Sequence, residues 1–211
     1  MFTRLFAALL TILIAAALPM QAQAQSAPVS DAQASLAAVQ DYLQNLRTLR
    51  AKFVQTAPDG TQTNGDFLLK RPGRMRFDYA TPVSDFIVAD GRFIYYYDGQ
   101  MRETSNAPIS HSLADFFLRE KITLGGDIKV TDVRSENGLL MVTLVQAKDA
   151  GAGSLTIGLT QGARLQLKTW LIRDPQGSVT QVELFDIAEG ISLDNDTFHY
   201  YDPKRRDRGY N

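Results

Sequence analysis

The chain has 211 residues and carries 22 Lys+Arg against 23 Asp+Glu, a balance without the basic excess of a nucleic-acid binder. It contains no cysteine, which excludes disulfides, thiolate metal sites and an N-terminal cysteine that could accept acyl chains.

Arg4, the apolar run from Leu5 to Leu18, the break at Pro19 and the small-residue site Ala22-Gln23-Ala24 read as a secretory signal peptide spanning 1–24. The apolar run is short for a spanning helix, so cleavage near Ala24 is expected to release a soluble, exported chain. Residues 25–211 are expected to form one domain with a real core. Ser30 and Gln33 form a capping box. Leu36, Val39, Leu43 and Leu46 follow at three- and four-residue spacing, which predicts an amphipathic helix ending near Arg47.

From Ala51 the period changes to two. Strands are predicted over 51–56, 63–70, 74–79, 85–89, 92–97 and 100–105. Asp59-Gly60 and Pro72-Gly73 supply turns, and Asp90-Gly91 and Asp98-Gly99 are hairpin signals. After Pro108 the strands stop. Ser112 to Asp115 reads as a second capping pattern, and Leu113, Phe116 and Phe117 give an apolar face to a short helix ending near Glu120. Strands resume over 127–135 and, after the turn signal Asn137-Gly138, over 139–146, 154–160, 164–173 and 178–187, with a short one near 197–200 and a charged tail from Lys204. About eleven short strands with hairpin-length links predict a mainly β fold with some α. Such an antiparallel meander curls because strands twist, and two helices must cover what the curl exposes.

The stretch Lys70-Arg71-Pro72-Gly73-Arg74-Met75-Arg76-Phe77-Asp78-Tyr79 shows what the sheet offers on each side. Alternation places Met75, Phe77 and Tyr79 on one face and Arg74, Arg76 and Asp78 on the other. The charged face reads as a solvated outer surface. Phe53, Phe67, Leu69, Ile94, Tyr96 and Trp170 extend the apolar face, which is expected to line a concavity. Arg71 shares the parity of Phe67 and Leu69. It is either a solvated rim charge or a donor to the C-terminal carbonyls of a covering helix or to a ligand headgroup. Two histidines, no Gly-x-Ser-x-Gly and no phosphate-binding loop leave no catalytic constellation, so no enzyme activity, cofactor or metal is expected.

In order and spacing, Phe53-x-Gln55, Gly65-Asp66, Lys70-Arg71-Pro72, Phe77-x-Tyr79-x-x-Pro82, Ile87-Val88-x-Asp90-Gly91, Tyr97-Asp98 and Asp174-x-x-Gly177-x-x-Thr180 resemble the periplasmic outer-membrane lipoprotein carrier (LolA) family. The resemblance implies an incomplete antiparallel β-barrel, covered by an N-terminal helix and a short lid helix over an apolar cavity, with acyl chains bound by Phe53, Phe67, Leu69, Met75, Phe77, Ile94, Tyr96 and Trp170 of the sheet and by Leu113, Phe116 and Phe117 of the lid. It implies a monomeric periplasmic carrier that takes acylated lipoproteins from an inner-membrane ABC transporter and delivers them to the outer membrane. A receptor lipoprotein there is left open. By resemblance Arg71 matches the arginine that ties the lid, Phe77 stands where the family usually has tryptophan, and Met75 matches a cavity position. A lipid- or lipoprotein-sensing module of the same fold is the alternative reading. A small outer-membrane barrel would instead need an unbroken outward apolar band, which Arg74, Arg76 and Asp78 interrupt.

Overall fold

The computed structural model describes residues 29–206; the signal-peptide reading and the tail beyond Arg206 lie outside the described residues. Helix α1 (Val29–Asn45) leads into six strands, β1 (Thr48–Thr56), β2 (Gln62–Lys70), β3 (Arg74–Tyr79), β4 (Phe86–Asp90), β5 (Phe93–Asp98) and β6 (Glu103–Pro108). A 3-10 turn and the one-turn helix α2 (Asp115–Leu118) follow. Five more strands complete the sheet: β7 (Ile128–Glu136), β8 (Leu139–Gln146), β9 (Ser154–Thr160), β10 (Gln166–Arg173) and β11 (Val179–Glu189).

All eleven strands join one antiparallel sheet in the order β6-β5-β4-β3-β2-β1-β11-β10-β9-β8-β7. This order explains the lid. The chain meanders outward from β1 to one edge, β6, and must then reach the other edge, β7, before meandering back to pair β11 with β1. The crossover, residues 109–127, carries α2. Across a curled sheet, the path between the edges runs over the concave face.

The expected turns hold where their chemistry is local. Asn137 and Gly138 join β7 to β8 with φ of 52° and 77°, the double positive φ of a two-residue hairpin. Asp90 Oδ1 accepts the N–H groups of Arg92 and Phe93, both at 2.9 Å, which closes the β4–β5 turn. Asp98 instead opens a longer loop. Its Oδ1 accepts the N–H groups of Gln100 and Met101, so β6 starts at Glu103, three residues later than its expected start.

Other expectations need correction. Helix α1 already includes Ser30, so its start precedes the expected cap. Ser112 does not cap α2: its hydroxyl donates to Ile109 O, closing the preceding 3-10 turn, and the cap position is Ala114. With no side-chain cap and Arg119 in extended conformation, α2 stops at Leu118 after one turn. The strand expected near 197–200 is a 3-10 turn, Asp196–Phe198, followed by the short helix α3 (Pro203–Arg206).

That C-terminal segment also corrects the reading of the outer face as simply solvated. It crosses the convex side of β1 to β6. Thr48 Oγ1 donates to Ile191 O, Lys70 Nζ to Leu193 O and Arg76 Nη1 to Thr197 O. Tyr200 stacks on Tyr95 with ring centres 4.3 Å apart, and its hydroxyl meets Thr104 Oγ1 at 2.6 Å. Phe198, Val88 and Tyr97 are buried on this outer side. Arg76 is therefore a fastener for the C-terminal segment, and it lies over the Phe86 ring as well.

Candidate functional site

The concave face of the sheet encloses an apolar cavity of about 320 Å³. β2 and β3 contribute Phe67, Leu69, Met75 and Phe77, β4 and β5 contribute Ile87 and Ile94, and β9 to β11 contribute Leu155, Leu167, Trp170, Ile172, Thr180 and Val182. The crossover closes it with Ser112, Leu113, Ala114 and Phe117. The aromatic rings form one wall. Phe67 meets Phe77 at 4.6 Å and Trp170 at 5.3 Å, and Phe117 of the lid meets Trp170 at 5.5 Å.

Eight of the residues expected from the sequence are brought together here: Phe67, Leu69, Met75, Phe77, Ile94, Leu113, Phe117 and Trp170. Three are not. Phe53 is buried behind the wall, edge-on to Phe77 (5.0 Å) and Tyr79 (5.2 Å), so it supports the lining without joining it. Phe116 points into the core because neighbouring residues on a helix differ by about 100° in direction, and Phe117 takes the cavity side. Tyr96 is 38% exposed, and its hydroxyl donates to Asp85 Oδ2 at 2.9 Å.

Trp170 and Leu167 both line the cavity although an odd spacing puts them on opposite faces of a regular strand. A bulge resolves this. The β9–β10 register shifts between Leu167 and Thr169, which returns both side chains to the same face. Tyr42 of α1 takes up the Leu167 N–H at the bulge, accepting it at 2.8 Å while its own hydroxyl donates to Glu189 at 2.6 Å. No sequence pattern announced this bulge, and it brought in Leu167, which periodicity had not marked.

Arg71 is buried at 6% exposure. Its Nη1 donates to the carbonyls of Leu43 and Leu46 at the C-terminal end of α1. Its Nη2 donates to Arg119 O at 2.7 Å and Glu120 O at 3.3 Å, just beyond α2. One planar guanidinium thus joins both covering elements at their carbonyl-rich ends. Burial, with Arg47 nearby, lowers its pKa to about 10, which leaves it cationic at neutral pH. The adjoining turn adds a tie that the sequence did not reveal. Gly73 N–H donates to Leu118 O at 2.8 Å, and Gly73 has φ of 78° with its Cα side pressed on Gly91, where a Cβ would lie 2.8 Å from the Gly91 Cα. Gln44 fastens α1 to the crossover, donating to Glu120 O and accepting from Ile122 N–H.

The family model for the outer membrane lipoprotein carrier protein LolA matches residues 44–201. The chain belongs to the LolA family. An outer-membrane lipoprotein carrier protein of Methylococcus capsulatus is 26% identical over 174 residues, covering 78% of this chain and 82% of that one. Another, from Leptothrix cholodnii, is 32% identical over 130 residues, covering 58% and 61%. A third, from Azotobacter vinelandii, is 23% identical over 213 residues, covering 97% and 98%. The LolA match takes in the strands of the cavity wall, the Arg71 turn and the lid.

Proposed function

We propose that this protein is a periplasmic carrier that accepts acylated lipoproteins from an inner-membrane ABC transporter and delivers them to the outer membrane. It shelters their acyl chains in the concave cavity and performs no catalysis. The observation that carries this reading is the apolar cavity itself, walled by Phe67, Phe77 and Trp170 and closed by a lid held through Arg71. The relatives named as outer-membrane lipoprotein carriers support the same role.

The energetics suit such a task. Burying a methylene is worth about 0.8 kcal/mol, so a fourteen-carbon chain resists water by about 11 kcal/mol and does not cross an aqueous space unaided. A volume near 320 Å³ is at the small end of ligand cavities, which run from about 300 to 1,000 Å³. Acyl chains therefore enter by displacing Leu113 and Phe117, and loss of those lid contacts keeps the carrier's hold weaker than a membrane's. The bonds from Arg71 bias the empty protein towards closure, which favours release. Export through the N-terminal segment places the protein where this transfer occurs.

The test is recovery of the protein from the periplasm with its bound lipids identified by mass spectrometry, followed by transfer of a purified lipoprotein to outer-membrane vesicles. The wild type is expected to carry acylated clients. Phe77→Glu, which sets a carboxylate in the aromatic wall, is expected to stay folded and carry none. Undiminished transfer by that variant refutes the cavity assignment.

A further inference from the structure

Apart from the indole N–H of Trp170, the polar side chains of the cavity wall are Gln55, Ser112 and Thr180. The Ser112 hydroxyl is committed to Ile109 O. Gln55 differs. It lies on the concave face of β1, two residues beyond Phe53, and its Oε1 accepts the Tyr79 hydroxyl at 2.9 Å. Its amide nitrogen has no hydrogen-bond partner among the described residues, so two N–H donors remain unused in the wall of the cavity. Tyr79 is a fixed brace. Burial pushes its hydroxyl up to about 12, so the group stays protonated and donating at neutral pH.

The position has a direction. Thr48, at the start of β1, pairs with Lys70 beside Arg71, whereas Gln55 pairs with Thr63 on one side and Val182 on the other. Gln55 therefore stands at the end of the β1–β2 ladder remote from the Arg71 tie, and Thr180 follows Val182 on the same face. A chain lying along the cavity with its polar end there would place its hydrocarbon against Leu69 and Met75. Two acyl esters drawn into such a wall lose water from their carbonyl oxygens, and an unpaired buried carbonyl is costly.

We propose that the Gln55 carboxamide, held by Tyr79, donates to an ester carbonyl of the diacylglyceryl group on the client's lipidated cysteine, and so sets how deep the chains sit. This rests on the carrier reading above and adds a polar recognition element to it. In this scheme Gln55 is the binding residue and Tyr79 a positioning residue.

Trp170 is the chain's one tryptophan and lines the cavity, so its fluorescence reports occupancy. Three probes of equal chain length are titrated: a diacylglyceryl-cysteine lipopeptide with ester links, its dialkyl ether analogue, and a diacyl phosphatidylglycerol. The wild type is expected to bind the ester lipopeptide about fivefold more tightly than the ether, the ratio that one net hydrogen bond supplies. It is also expected to bind the ester lipopeptide more tightly than the phosphatidylglycerol. Gln55→Leu should bind ester and ether lipopeptides alike, at the wild-type ether affinity. Gln55→Met, which keeps the length but removes the donors, should lose the preference too and serves if the leucine variant does not fold. Tyr79→Phe should reduce the ratio while leaving ether affinity unchanged. Equal wild-type binding of ester and ether overturns the carbonyl contact but leaves the acyl cavity standing. An ester preference that survives in both Gln55 variants also overturns it. Phosphatidylglycerol binding as tight as the ester lipopeptide overturns the assignment to a lipidated cysteine. Failure of the wild type to bind any probe overturns the cavity reading itself.

Discussion

Replacing Arg71 by leucine removes the guanidinium that joins α1 to the lid, and the structure allows the effect to be sized. On the lid side the bond to Arg119 O is well formed at 2.7 Å, while that to Glu120 O, at 3.3 Å, is long and adds little. One bond from a charged donor is worth about 1.5–3 kcal/mol, so a loss near 2 kcal/mol raises the open fraction of the lid by about 30-fold. The Gly73–Leu118 bond remains and keeps the lid from detaching altogether. Hydrogen exchange reads this directly. The amides of Phe117 and Leu118, bonded to Ala114 O, and that of Gly73 should lose protection by about 30-fold, while amides within β9 and β10 keep theirs. Acrylamide quenching of Trp170 should rise in parallel. Arg71→Lys supplies charge without the planar fork and should recover only part of the protection. In transfer assays the leucine variant should load clients and release them slowly, since the closed empty state has lost its tie. Unchanged lid exchange, unchanged quenching and normal release in Arg71→Leu would together show that Arg71 supports the fold without latching the lid.

Gly65→Ala should be severely destabilising or prevent folding, because a Cβ there would lie 2.0 Å from Asp78 O and 2.9 Å from the Phe53 ring; urea unfolding measures it. Tyr42→Phe should lower stability by about 1–3 kcal/mol by stranding the Leu167 N–H, and the Leu167 amide should exchange faster. The Asp90 carboxyl is pushed up by burial, but the N–H groups of Phe93 and Arg92 outweigh this and hold its pKa below the usual carboxylate value. Its stabilisation is therefore present above an unfolded pKa of about 3.9 and lost as pH falls through the lower folded value. Acid titration of stability should be shallower in Asp90→Asn.

Much of the fold was legible because its signals are local. Period-two alternation from Ala51 onward, together with Asp-Gly and Asn-Gly pairs, marks strands and tight turns without reference to distant residues. Part of the cavity wall was legible for the same reason: Phe67, Leu69, Met75 and Phe77 lie on regular strands, where parity alone assigns the face. The lid was less legible. Leu113, Phe116 and Phe117 are all apolar, but α2 has a single turn, too short for a stripe to separate its cavity side from its core side.

Local patterning sufficed for an antiparallel β chain with one apolar face, a covering helix and an arginine of the inward parity before a Pro-Gly turn. Tertiary packing set which carbonyls Arg71 meets, since α1 lays Leu43 and Leu46 beside it and the crossover from β6 to β7 brings Arg119. It decided that Leu167 and Trp170 share a face, because a bulge breaks the alternation that parity assumes. It also decided that Arg76 holds the C-terminal segment, although its strand position suggested open solvent. In each case the deciding contact joins residues far apart in the chain. Local periodicity carries no information about such pairs, whereas sheet order and register impose them.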